Sequence, residues 1–480
     1  MKNSTKVSIL GFLILLSFII PYLVLFQGTI TPEGYILGVY IDDSDSNFTW
    51  EKAKTNYGLN FTGTGTVEDP IIVKDTIFDS EGGGNNLVIQ YSSRYFKFIN
   101  CTFRYSGIDF HNYGIKLWHV SNGQFINITI HHTKNAIHIE DSQNLVFDEV
   151  ITYSNSIGFR MYRSTGIILR NSFISYNDDY GIGIIDTCEN NWIYNNTIAH
   201  SENVDIIIGA RCNNTYLSNN EIYYSQIGIM EIEANHSKII NNIIEYNDLA
   251  IGSGNSEDSL IENNTIAYNE YGIALLENIK NNITNNLFYE NSIALILNDT
   301  NAVNINYNEF TFNSEGIQLN YTSDIEFYHN LVMNNTDYGV SAKNNSNSLI
   351  YYNLFINNSL NAFETNNTNN WDNSTIGNYW DDYSGSDLDY NGIGDIPYII
   401  SGTANSQDRY PIINLTSSFE FIIPKAPEKP DIPKEPKPDQ ESESEPNSDW
   451  IILLAITIGI GSIVGIGGYS FYYYRKKRSR

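Results

Sequence analysis

Between about Asn171 and Asn353, apolar residues fall in short alternating runs such as I-A-L at Ile273 to Leu275 and I-Q-L at Ile317 to Leu319. Alternation at period two is strand spacing. The polar phrases between the runs repeat as NNEI, NNII, NNTI, NNLF, YNEF and HNLV. Their second residue is Asn220, Asn242, Asn264, Asn286, Asn308 and Asn330, each 22 positions after the last. A few residues later a small residue precedes an aliphatic one, at Gly272, Ala294, Gly316 and Gly339. Three short strands and three turns use about 22 residues, so each unit predicts one coil of a parallel β-helix.

Stacking places equivalent positions above one another. Ile, Leu, Val and Phe are expected to fill the interior. The recurring Asn is expected to take the left-handed conformation of a tight corner and to bond the Asn of the next coil through its amide. The small residue is expected to suit the following corner. These Asn residues are therefore scaffold, not ligands.

Earlier coils read as FINCTF (98–103), FINITI (125–130), VFDEVI (146–151) and ILRNSFI (168–174). Their markers Cys101, Ile128, Glu149, Asn171 and Asn196 are separated by 27, 21, 22 and 25 residues, with 24 more to Asn220. The whole predicts an all-β chain of about 12 or 13 coils at about 4.8 Å per coil. Variable coil length puts extra loop residues on the early coils, so a functional face is expected there. Residues 29–60 read as a polar segment, 61–370 as the β-helix, and 371–415 as an aromatic, Asp-rich cap. Trp371, Trp380 and Tyr398 in that cap suit the covering of an open end.

The ends change the setting. Residues 1–28 carry an apolar run, Val7 to Phe26, behind Lys2 and Lys6, which reads as a signal peptide or signal anchor. Residues 416–449 form a Pro-rich charged stalk. Residues 450–474 read as a transmembrane helix and 475–480 as a basic cytoplasmic tail. The expected location is the cell membrane, with the large domain extracellular. Sequons at Asn47, Asn127, Asn195, Asn235, Asn298, Asn320 and Asn414 are then glycosylation candidates. A net charge of −28 excludes nucleic acid as a partner and leaves glycans, other surface proteins or cations.

Four groups of residues suggest chemistry. Asp178, Asp179, His200 and Arg211 are weak candidates for a catalytic site, provided that they converge. Asp387, Asp389, Asn391, the carbonyl of Ile393 and Asp395 have the spacing of a calcium loop, or of a plain polar turn. Cys188 and Cys212 lie six residues after Ile182 and Ile206 in successive coils, so they should stack as a disulfide candidate. Copper would need clustered His, Met or Cys. His111, His119, His131, His132 and His138 fall early, but His138 shares an outward column with Lys116 and Arg160. A cationic column suits an anion better than Cu²⁺, so copper is not expected. Tyr223, Tyr224, Tyr246, Tyr268 and Tyr289 offer either glycan platforms or a strand ladder.

Three stretches resemble a known family: GTGTVEDPIIV (63–73), the NN-x-[IF] and GI coil phrases, and NNWDNSTIGNYWDDYSGSDLDYNGIGDIPYII with DRYPI (408–412). Together they look like the NosD-like right-handed β-helix proteins, of the carbohydrate-binding and sugar-hydrolase β-helix group, in an archaeal surface-protein variety. The resemblance spans about residues 60–413 and implies the right-handed fold. It implies a recognition or structural module for glycans, with a polysaccharide-cleaving enzyme (hydrolase or lyase) as alternative. A copper-handling accessory protein, the source of the family's name, is the second alternative.

Overall fold

The computed structural model describes residues 35–109, 111–366 and 368–413. The stretches read as signal segment, stalk, membrane span and basic tail, and Asn414, lie outside the described residues. Among the described residues no helix is long and apolar enough to cross a membrane.

A regular coil has three strands, for example Leu260–Glu262, Thr265–Ala267 and Tyr271–Leu276. Each pairs in parallel with its counterpart one coil on, Leu260 with Asn282, Thr265 with Leu287 and Tyr271 with Ile293. Three parallel sheets result, wound as a right-handed solenoid. In the third sheet one inward position runs from Val39 to Ala362 through thirteen parallel pairings, hence fourteen rungs. That exceeds the 12 or 13 coils expected. The first rung, Val39–Asp42, belongs to the segment read as merely polar. The same segment holds helix α1, Trp50–Tyr57, capped by the Thr49 side chain and ended by Gly58 at φ 72°. Trp50 is buried 5.3 Å from the Phe96 ring, and its indole N–H donates to Ser92 at 3.1 Å.

At the corners, the first Asn of the phrase takes the left-handed turn and can bond its counterpart in the neighbouring coil, as Asn263 does Asn241, and its neighbour carries a second, buried ladder. The left-handed residue is the first of the phrase, Asn219, Asn241, Asn263 and Asn285 in turn. The second Asn, buried, carries the ladder. Asn264 Nδ2 donates to Asn286 Oδ1 at 2.9 Å and to the Ile239 carbonyl at 2.8 Å. The Asn264 amide donates to that same Oδ1 at 2.9 Å. Corner backbone that would otherwise be buried unpaired is satisfied this way. The small residue after it is not left-handed either. A Cβ on Gly272 would lie 2.2 Å from the Ala294 carbonyl oxygen, so close approach of the next coil sets its size.

The ladder ends in the cap. Asn353 Nδ2 donates to Asn378 Oδ1 at 2.9 Å, and the Asn378 amide donates to buried Asp408 at 2.7 Å. Trp380 lies between the rings of Phe355 (4.4 Å) and Tyr398 (4.2 Å), and its N–H also donates to Asp408 at 2.9 Å. The aromatic cover expected of the exit stretch is present, organised around one carboxylate.

Two apolar clusters flank the third sheet. Ile229 and Ile251 belong to the core inside the coils. Ile227, Met230, Leu249 and Ala274 form a separate cluster on the opposite side of the same strands.

Candidate functional site

The outer face of the third sheet is ordered by register. One column reads Lys116, His138, Arg160, Gly183, Ile207, Met230, Gly252, Ala274 and Ile296. The column beside it begins Tyr113, Asn135, Ile157, Tyr180 and continues Val204, Ile227, Leu249. Cations and aromatic rings thus occupy the early rungs, and an apolar floor follows. Exposed Glu202, Asp248 and Glu270 and half-buried Gln226 stand along the corner that borders this floor.

The early rungs pack tightly. Lys116 Nζ sits 5.2 Å from the centre of the Tyr113 ring, and the Arg160 guanidinium 4.5 Å from that of Tyr162, whose hydroxyl it also bonds. His138 lies between them, its ring 4.9 Å from Tyr113 and 5.6 Å from Tyr162, with Nε2 3.5 Å from Glu140. Burial, aided by the Arg160 charge, pushes the His138 imidazole down to about 4, against the pull of Glu140. It is neutral at pH 7. Burial raises Tyr180, and the carboxyls of Asp178 and Asp179, above their ordinary values. The aligned spacing of 22 made Lys116, His138 and Arg160 legible as a column. The spacing alone does not mark Tyr113, Tyr162 and Tyr180 as belonging to it.

The four residues weighed as catalytic do not share a groove. Asp178 and Asp179 lie at a bulge leading into the third sheet, where Asp179 accepts from Asn203 at 3.3 Å. His200 is one of a stack of rings at the corner, 4.6 Å from Tyr176 and 5.1 Å from Tyr224, nearly parallel to both. Arg211 lies past the far end of the third strand, ion-paired to Asp186. The ring stack continues through Tyr246 and Tyr268 at 5.1 and 5.0 Å. A groove of about 510 Å³ runs beside it, past Glu202, Gln226 and Asp248. Stacked rings cover one another's faces, so this ladder offers edges and hydroxyls rather than flat platforms. Tyr223, also considered a platform, is buried.

Cys188 and Cys212 are adjacent, both buried and with free thiols in this structure. Each sulfur is turned to a carbonyl, Cys188 to Ile185 and Cys212 to Ile184, both at 3.4 Å. The Cys188 amide donates to Cys212 Sγ at 3.4 Å. The same amide-capping place is held by Ser142, Ser164 and Ser256 in other coils. In the cap, Asp387 accepts from the Asn391 and Gly392 amides and Asp395 from the Leu388 amide. Asp389 and Asn391 make further turn bonds, the latter to the Ile393 amide. The polar-turn alternative accounts for this pattern. For copper, His131 and His132 contact each other at 2.8 Å, whereas His119 stacks on Tyr91 and His138 stands between cations. Among the described residues no group of three or more His, Cys, Asp or Glu can hold a metal ion. Asn47, Asn127 and Asn195 are exposed, Asn235 and Asn320 half-buried, and Asn298 is buried, which removes it as a glycan acceptor.

A family model described as "Periplasmic copper-binding protein (NosD)" matches residues 67–252 and 232–385. The chain belongs to the NosD family. No curated protein matches it. Similar solved structures include a mutant of the periplasmic alginate epimerase AlgG, with TM-score 0.43 and 12% identity over 71% of this chain and 90% of that one. The mannuronan C-5 epimerase AlgE6 A-module of Azotobacter vinelandii has TM-score 0.36 and 13% identity over 59% and 84%. PfbA, a surface adhesin of Streptococcus pneumoniae, has TM-score 0.38 and 10% identity over 62% and 84%.

Proposed function

We propose that this NosD-family protein is a membrane-anchored, extracellular glycan-recognition module whose binding surface is the outer face of the third sheet. The observation that carries this reading is the juxtaposition on one face of three zones. Cation-held rings stand at its start, half-buried Ile185, Ile207, Ile232 and Leu276 extend along it, and a polar rim borders it. Sugars have apolar C–H faces and hydroxyl edges, so a glycan chain lies on such a floor and bonds to such a rim. Ile185 and Ile207 interrupt no internal packing of the core, which lies on the other side of the strand.

The test is a glycan array probed with the full-length protein in detergent. Binding is expected, and Ile207→Glu should abolish it without lowering the melting temperature. An array on which nothing binds would end the reading. Release of new reducing ends from a bound polysaccharide would replace it with the cleaving-enzyme alternative. In the cap, hydrogen-bonded turns need no ion; a melting temperature raised by millimolar calcium would show an ion displacing those bonds.

A further inference from the structure

Resting on the glycan reading, we propose that Lys116, His138, Arg160 and Tyr180 form a site for the anionic substituent, carboxylate or sulfate, of an acidic glycan. Four observations converge on it.

The first is charge. The protein carries −28, and its arginines are ordinarily neutralised. Arg94, Arg104, Arg163, Arg170, Arg211 and Arg409 each pair with a carboxylate. Among the described residues Arg160 is the arginine with no carboxylate within 4.0 Å, and Lys116 in the same column has none either. An arginine held without an ion pair in an acidic protein has a charge that an anion can neutralise, and Lys116 adds a second cation beside it.

The second is unused hydrogen-bonding capacity. Arg160 Nε, His138 Nδ1 and the Tyr180 hydroxyl are all enclosed and without a partner. His138 is 6% and Tyr180 9% exposed. Enclosed polar groups are normally paired, and these three stand on successive rungs of one face. Guanidinium and phenol both donate, and so can a neutral imidazole with its proton on Nδ1. An oxyanion, which only accepts, is the complement.

The third is rigidity. Tyr113 and Tyr162 hold the two cations over their ring faces, which fixes the charges without neutralising them. A site preorganised in this way loses less entropy on binding.

The fourth is continuity. The rung after Arg160 bears Gly183 in the same column, and the Tyr180 ring fills its place so closely that a Cβ would lie 2.5 Å from it. The ring forms the step between the anion site and the apolar floor. One acidic sugar can thus be anchored by its charge while the rest of the chain continues over Ile207 and Met230.

The experiment measures affinity of the full-length protein in detergent for three soluble polymers: a polyuronate, a sulfated glycan and a neutral glycan. Wild type is expected to bind at least one acidic polymer ten-fold or more tighter than the neutral one. Lys116→Gln and Arg160→Gln should each lose that preference, while the melting temperature stays unchanged. Arg160→Lys should recover part of it, which guards against misfolding of the Gln variant. The uronate and sulfate arms identify which anion is taken. Equal wild-type affinity for acidic and neutral polymers, or acidic binding undiminished in both Gln variants, would overturn the anion site and leave glycan recognition standing. No binding to any polymer would overturn both.

Discussion

The rungs from Leu87 to Ile208 and those from Ile227 to Ala362 are built on one plan and differ in what they can vary. In the later rungs the corner ladder is Asn over Asn, from Asn220 to Asn353, with side-chain bonds of 2.9–3.1 Å. In the earlier rungs the same column passes through Val150 and Ser172; the corner beyond the third sheet is mixed along its length, through Ser142, Ser164, Cys188, Cys212, Ala234, Ser256 and Asn278. The outer face differs in step. Beside the uniform ladder it is apolar or uncharged in the Lys116 column, with Tyr271 and Tyr338 beside it; in the earlier rungs that column carries the charged or ionisable Lys116, His138 and Arg160. Strict repetition records what the scaffold needs, and departures from it mark where another demand has intervened.

If that contrast is energetic, the largest effect lies in the ladder. Asn286 accepts from the Asn264 amide and side chain and donates to the Ile261 and Thr284 carbonyls and to Asn308, all within 3.0 Å. Asn286→Ala leaves several buried groups unpaired and should cost roughly 4 kcal/mol. Ser172→Ala in the early ladder, where Ser172 accepts one amide and returns one bond to Arg170, should cost about 1 kcal/mol. Urea unfolding of the two variants decides it. Equal losses would mean that the two regions are energetically alike and that the mixed ladder tells nothing about function.

The junction offers a sharper probe. The inward column Ile184, Ile208, Glu231, Ser253, Leu275 puts a carboxyl inside the coil where the apolar series breaks. Glu231 is fully buried beside Ser237 and Ser253, and burial raises it to about 7. The unfolded chain ionises at its ordinary value, so the folded state holds the extra proton between about pH 4.5 and 7. Stability is therefore retained at acid pH and lost as pH rises through 7. Glu231→Gln should raise stability at pH 8 by on the order of 3 kcal/mol and change little at pH 4. Thermal melts at both pH values would check this. A variant no more stable at pH 8 than wild type would show that Glu231 is not the strained point between the regions.

Much of this was legible in the sequence, for definable reasons. The period of 22 displayed the coil, the Asn264 ladder and the Lys116, His138, Arg160 column, because equal spacing becomes equal position on stacking. Trp380 as cover followed from the need to close an open end. Other features follow no period. Val39 pairs with Leu87 across 48 residues that include α1, so no repeat announces it. Tyr180 joins the Arg160 site only because the bulge at Asn155–Ile157 shifts the register. Arg211 is claimed by Asp186, a contact between corners that order along the chain does not reveal. The left-handed position is Asn263, and the amide-capping position is its buried neighbour Asn264, a division that the paired Asn of the phrase does not announce.

The smallest effect tests whether the early ladder tolerates exchange, as the comparison requires. Cys188 and Cys212 occupy the place that Ser142, Ser164 and Ser256 hold elsewhere, and Cys212 Sγ accepts the Cys188 amide as Ser Oγ does in those coils. A hydroxyl supplies the same acceptor in a smaller volume. Cys212→Ser should therefore change stability by less than about 1 kcal/mol, whereas Cys212→Ala, which strands the Cys188 amide, should cost about 1–2 kcal/mol. Both thiols should resist alkylation in the folded protein and react fully, without prior reductant, once it is unfolded in urea, since both are buried and unlinked. Thiols that stay blocked in urea until reductant is added would restore the disulfide. Serine as damaging as alanine would show that the column depends on sulfur itself, and that the mixed ladder is as exacting as the Asn one.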